Sequence, residues 1–163
     1  AGTPPGAERL QLQVDRFIAA QAIMLSLLGV PGIYFHSLLG SRGWLVGVKQ
    51  TGHNRTINRE KCNLETLQNE LADSNSLRSK VFTRYRELLL ARSKISAFHP
   101  HSTQKILDAH PSVFAVERIS PDLKSSVLCL HNVSAKKVVV ETEHATRILN
   151  ITLEPYQVLW MSL

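Results

Sequence analysis

Cysteine is scarce in this chain. Its two copies, Cys62 and Cys129, lie far apart with no Cys-x-x-Cys spacing. That excludes a disulfide framework and suits a reducing compartment, the cytoplasm, with both residues expected as buried thiols. No apolar run reaches the roughly 20 residues of a membrane span. Phe17 to Leu28 comes nearest, but Gln21 and Ser26 interrupt it and Gly29 and Pro31 end it, so no membrane partner is expected. The segment Ala1-Gly-Thr-Pro-Pro-Gly-Ala-Glu8 lacks the basic start and apolar centre of a signal peptide. His99, His101 and His110 have no Cys or carboxylate at ligand spacing, so no metal is expected and the stretch reads as a linker. Glu60, Asp73, Glu117 and Asp122 fall in expected helices or turns, with no spacing that pairs two carboxyls at a strand end. They read as surface charges, and no catalytic residue is assigned.

What the chain does have is apolar bulk and positive charge. Apolar residues make up 44% of the sequence, without a low-complexity tract, enough for a packed core. The formal net charge is +6, which would attract polyanions if it were clustered. Arg78, Lys80, Arg84, Arg86, Arg92 and Lys94 instead accompany one expected helix whose Val81, Tyr85, Leu88 and Leu89 lie on the other side. These cations read as a solvated face, and without a stacking platform no nucleic-acid partner is expected. Three Asn-x-Ser/Thr sequons, at Asn54, Asn132 and Asn150, are too loose a pattern to imply glycosylation.

Periodicity organises the rest. Leu10, Val14, Phe17, Ile18, Met24, Leu25 and Leu28 follow helical spacing. Gly29 and Pro31 then stop the helix, and Ile33-Tyr34-Phe35 reads as a short parallel strand buried on both faces. The strand would deliver His36 and a loop holding Gly40, Gly43, Gly47 and Gly52. Asn63 is placed to cap a helix through Leu71, and Asn75 or Ser76 to cap a longer one from Leu77 to about Ser96. After Pro100, β-branched and alternating stretches dominate: 113–119, 126–131, 137–141, 147–151 and 156–161, parted by turn residues. They predict an antiparallel sandwich or small barrel.

Leu25-Ser-Leu-Leu-Gly-Val-Pro-Gly-Ile-Tyr-Phe-His36 followed by Thr51-Gly-His-Asn-Arg-Thr-Ile-Asn-Arg-Glu60 resembles the last βα unit of the α-amylase superfamily barrel, in the branch that contains sucrose phosphorylase. His131-Asn-Val-Ser-Ala135 and Leu153-Glu-Pro-Tyr-Gln-Val158 are similar to elements of that superfamily's C-terminal β-domain. The resemblance implies an α+β chain: residues 1–98 as the C-terminal end of a (β/α)₈ barrel, a remnant of its last βα unit, and residues 99–163 as an antiparallel Greek-key-type β-sandwich domain. A complete barrel needs about 250 residues, against 163 here.

The resemblance further implies the C-terminal part of a retaining glucosyl transferase that acts on an α-glucoside with phosphate, needs no cofactor, and has its catalytic carboxylates upstream of Ala1. Arg55 matches the family Arg that contacts the glucosyl unit, a task suited to a rigid guanidinium fork. Arg59 is expected to brace the loop, with Ile57 as its anchor. His53, Asn54 and the Gly40-Ser-Arg-Gly-Trp44 loop with Arg42 are candidates for the side that binds phosphate and the leaving sugar. Members of the branch commonly have Arg where His53 stands. A chain lacking its barrel neighbours would expose apolar surface around Phe17, Met24, Ile33 and Phe35 and associate into homo-oligomers. The alternative is a non-catalytic carbohydrate-binding or interaction module built on the β-domain. Trp160, which alternates with Tyr156 and Val158, reads as core more than as a sugar-stacking platform.

Overall fold

The computed structural model describes residues 9–144 and 147–163. They form five α-helices and six strands, with two 3₁₀ turns at Asn54–Asn58 and Ser96–Phe98. The chain is α+β. It divides into two compact units: a helical unit of residues 9–14 with Gly32–Arg86, and a sandwich unit of Asp15–Pro31 with Glu87–Leu163.

The helical unit holds the start of helix α1 (Leu10–Ser26), α2 (Phe35–Leu38), α3 (Leu45–Thr51), α4 (Leu64–Ala72) and the first half of α5 (Leu77–Lys94), through Arg86. Capping follows the sequence signals. Asn63 Oδ1 accepts from Thr66 N–H at 2.9 Å at the start of α4. Ser76 Oγ accepts from Ser79 N–H at 3.0 Å ahead of α5, so of the two expected caps Ser76 is the one used. Val81 and Tyr85, one helical turn apart, are buried. Val81 also fixes the loop before α3. Gly40 sits at φ +60°, and a Cβ there would lie 2.8 Å from Val81 Cγ2, so the position requires glycine on two counts.

Ile33-Tyr34-Phe35 is not a strand. Residues 30–34 have no regular structure, Phe35 opens the short α2, and Tyr34 and Phe35 are half exposed. A parallel strand is held by hydrogen bonds to neighbouring strands, and among the described residues every strand lies after position 102. The helix read through Leu28 ends at Ser26, and α3 occupies part of the expected glycine loop.

In the sandwich unit, the antiparallel sheet β1-β2-β3-β6 (Thr103–His110, Val113–Ile119, Ser126–Asn132, Val158–Ser162) faces the hairpin β4-β5 (Val138–His144, Arg147–Leu153). The period of two places Val113, Ala115, Leu128 and Leu130 in one core with Val138, Val140 and Leu153. Val116, Val127 and Cys129 point the other way, onto Ala97 and Phe98. Strands β2 and β3 are thus covered on both faces, which accounts for the nearly unbroken apolar run of β3. Strand β1 was read as linker. It is an edge strand, its first four residues exposed, and only Leu107 and Ala109 pack against the core, too short an alternation to stand out in the sequence.

Two arginines of this unit point inward. Arg118, fully buried, donates to the carbonyls of Thr103, Ser26 and His99 at 3.0 to 3.2 Å. Arg92 donates to those of Leu25, Gly29 and Phe98. Leu25 and Ser26 end α1, where backbone carbonyls have no partner within the helix and the dipole favours a cation. Arg92 is therefore not part of a solvated face. Both cysteines are free thiols. Cys62 is half-buried, while Cys129 is buried and its pKa is pushed up to about 12, chiefly by desolvation. Asn132 is also buried. Its amide nitrogen donates to Lys136 and Glu154 carbonyls, and its oxygen accepts from Ser134 N–H, so its sequon cannot be modified in the folded chain.

Candidate functional site

The residues expected to meet a ligand all belong to the helical unit, around α3. The turn Asn54–Asn58 follows this helix and is tied down through its backbone. Ile57 carbonyl accepts from Trp44 N–H at 2.8 Å, Thr56 N–H donates to His53 carbonyl at 3.0 Å, and Tyr34 hydroxyl donates to Asn58 carbonyl. Thr51 Oγ1 adds bonds to Gly47 carbonyl and Thr56 Oγ1, both at 2.9 Å.

These bonds fix the main chain and leave the side chains of His53, Asn54 and Arg55 exposed. Arg55 makes no hydrogen bond or ion pair with any described residue. Such a cation, on a fixed backbone and without an internal carboxylate, has its whole donor fork available to an external oxygen. Arg59 does not brace the loop: its side chain is exposed, and only its backbone N–H, on Thr56 carbonyl at 2.9 Å, joins the network. The bracing is carried by Trp44, Thr51 and Tyr34. Ile57 anchors as expected, its side chain against Gly43.

Arg42 is exposed on the approach to α3, with Nη2 donating to Gln13 Oε1 at 2.7 Å. The Trp44–Ile57 bond brings its loop to the turn that bears Arg55. The glycines here make room for side chains. A Cβ on Gly47 would meet the Trp44 ring at 2.1 Å, and one on Gly43 would meet Ile57 at 3.0 Å.

Sequence reasoning missed a second cluster. Arg78, read as solvated, is 16% exposed and pairs through Nε with Glu70 Oε2 at 2.7 Å. Its Nη1 donates to Ser41 Oγ at 2.6 Å, and Ser41 Oγ lies 2.9 Å from His36 Nδ1. No periodic signal connects a loop His and Ser with an Arg on a later helix. Only the fold shows this arrangement.

In the sandwich unit Trp160 behaves as core: its ring lies 4.8 Å from that of Phe98 and its Nε1–H donates to His131 Nε2 at 3.2 Å. His131 is fully buried, with Nδ1 donating to Phe114 carbonyl at 3.0 Å. Burial pushes its pKa down to about 4, against the opposing pull of the Phe114 and Ala22 carbonyls. Among the described residues no group of three His, Cys, Asp or Glu could hold a metal, and no helix is long and apolar enough to cross a membrane.

No protein-family profile matches the chain. Curated relatives do. A glucosylglycerate phosphorylase of Spirochaeta thermophila is 56% identical over 119 residues, 73% of this chain and 20% of the relative. A glucosylglycerate phosphorylase of Allomeiothermus silvanus is 36% identical over 162 residues, 97% of this chain and 29% of the relative. The chain thus spans between a fifth and three tenths of the length of these relatives. Among solved structures, sucrose 6F-phosphate phosphorylase from Thermoanaerobacter thermosaccharolyticum shares the fold, with TM-score 0.63 and 21% identity over 88% of this chain and 27% of that one.

Proposed function

We propose, from its likeness to glucosylglycerate phosphorylases and to a sucrose 6F-phosphate phosphorylase, that the chain is the C-terminal part of a glucoside phosphorylase of the α-amylase superfamily and supplies ligand-positioning residues to a retaining phosphorylase whose catalytic carboxylates lie outside it. In that reaction a carboxylate attacks C1 of an α-glucoside while a carboxylic acid protonates the departing oxygen. A phosphate oxygen then displaces the carboxylate from the β-glucosyl-enzyme and gives glucose 1-phosphate. Glucosylglycerate, the substrate in the relatives' names, is the glucoside taken for the test.

Arg55 is assigned to the glucosyl unit, and His53, Asn54 and Arg42 to the side where phosphate and the leaving group sit. Residues 1–98 are read as the end of the barrel and 99–163 as the β-domain, and two thiols without a disulfide fit a cytoplasmic setting. The observation that carries the proposal is Arg55: exposed, unpaired among the described residues, and mounted on a turn whose backbone is held by neighbouring elements. The alternative of a separate sugar-binding module has less support, since Trp160, its candidate platform, is packed on Phe98.

The test is Arg55→Ala in the complete enzyme. Hydrogen bonds from a charged donor contribute about 1.5–3 kcal/mol each, so kcat/KM on glucosylglycerate should fall at least about tenfold with little change in melting temperature. Near-normal kinetics would refute the assignment. We also propose that the chain alone associates into homo-oligomers. Each unit exposes large apolar side chains: Leu28 and Val30 at 50% and 81% in one, Phe35 and Leu45 at 54% and 64% in the other. Light scattering that shows a monomer at all concentrations would overturn this.

A further inference from the structure

Arg78 and Ser41 determine which nitrogen of His36 carries the proton. A hydroxyl has one proton and two lone pairs, and a guanidinium can only donate. With Arg78 Nη1 on Ser41 Oγ at 2.6 Å, one lone pair is taken. If His36 Nδ1, at 2.9 Å, also donated, the second would be filled and the hydroxyl proton would have no partner in the cluster. If the hydroxyl donates to Nδ1, every group is satisfied, and receiving a bond from a cation strengthens the hydroxyl as a donor. Glu70 holds Arg78 Nε at 2.7 Å, so the guanidinium cannot turn away.

In the form with a single ring proton, this arrangement places that proton on Nε2. The half-buried ring is flanked by Tyr34 and Phe35, at centroid distances of 5.5 and 5.4 Å. Tyr34 also donates its hydroxyl to Asn58 carbonyl, at the end of the turn that bears Arg55. One aromatic residue thus links the imidazole to the Arg55 turn.

We propose that His36 is a specificity-determining residue of the same site as Arg55. Its Nε2–H donates to a hydroxyl oxygen of the glucoside, with Ser41 and Arg78 as positioning residues. This rests on the phosphorylase reading above. Arg42 provides charge on the phosphate side, whereas an imidazole N–H, like the Arg55 fork, can pair with a sugar hydroxyl.

Two measurements test it. In this chain, ¹⁵N NMR of the imidazole should show His36 protonated at Nε2 when neutral, and Ser41→Ala should shift it toward a mixture of tautomers. A dominant Nδ1–H form in the unsubstituted chain would overturn the proposal. In the complete enzyme, His36→Ala should raise KM for glucosylglycerate roughly three- to tenfold, the worth of one neutral hydrogen bond, and leave KM for phosphate within about twofold. His36→Gln, whose amide nitrogen reaches the Nε2 position, should recover most of the loss, and His36→Asn should not. Unchanged KM in His36→Ala, or rescue by Asn in place of Gln, would overturn it. A loss in Arg55→Ala beside normal kinetics in His36→Ala would fail this proposal alone. Normal kinetics in both would fail the site as a whole.

Discussion

Acid should unfasten the sandwich unit at His131. The imidazole is fully buried between Phe114 and Trp160, with its two nitrogens engaged by the Phe114 carbonyl and the Trp160 N–H. Only the neutral ring satisfies both bonds, because protonation would set an N–H of His131 against the N–H of Trp160. Burial lowers the folded pKa to about 4, against about 6.5 for an unperturbed histidine. The unfolded chain therefore binds the proton more readily, and stability rises with pH across this window. The contribution is complete above about pH 6.5 and is lost progressively as pH falls toward 4. The difference of about 2.5 units, at 1.36 kcal/mol each, corresponds to about 3 kcal/mol. Urea titrations at pH 7.5, 6, 5 and 4.5, read by tryptophan fluorescence, should show the unfolding free energy falling by roughly 1.4 kcal/mol per pH unit below pH 6. Asp122, whose pKa is lowered first by the Ser120 hydroxyl and then by the Lys124 N–H, adds to acid lability at lower pH. His131→Gln separates the two, since it cannot titrate. A pH slope between 6 and 4.5 that persists unchanged in His131→Gln would refute the reasoning, as would an NMR titration of His131 with a midpoint near 6.5.

Gly40→Ala should lower stability by about 2 kcal/mol or more, because it combines a positive φ with a Cβ 2.8 Å from Val81; thermal melting in the normal range would contradict this. Leu123 sits at φ +61°, 76% exposed, so Leu123→Gly should raise the melting temperature, removing about 1 kcal/mol of strain while giving up little burial, and a fall in Tm would count against it. Arg118→Met should cost about 3 kcal/mol or more, since three buried carbonyls lose their donor; denaturant midpoints are the check. Arg59→Ala, by contrast, should leave the melting curve within about 0.5 kcal/mol of the parent, because its exposed side chain braces nothing.

The elements best read from sequence were those whose signal is local. Asn63 and Ser76 cap where their side chains can reach N–H groups three residues on, and β2 begins and ends where alternation does. Elements that depend on remote partners were misread. Ile33-Tyr34-Phe35 has strand composition but lacks a strand beside it among the described residues, and β1 is a strand because β2 pairs with it from Thr103 to His110. The same division holds for the site. Arg55 was singled out by the resemblance of the segment around it to the family pattern, and its side chain is exposed. The His36, Ser41, Arg78 and Glu70 cluster joins three separate segments, so nothing in the spacing of any one of them announces it.

The net charge of +6 invites a polyanion, yet several of the cations are already committed within the protein. Arg92 and Arg118 are spent on backbone carbonyls in the sandwich unit, where burial lowers both pKa values and, for Arg118, the neighbouring Arg92 lowers it further. Arg78 is committed to Glu70 and Ser41, Lys137 to Glu154, and one nitrogen of Arg42 to Gln13. Binding DNA or RNA by counterion release needs several cations free to meet phosphates in one row. Arg55 has the opposite character: among the described residues its guanidinium has no partner, and it stands on a fixed turn beside Asn54 and His53. On the proposed reading, that fork of donors beside Asn54 and His53 suits the hydroxyls of a glucoside.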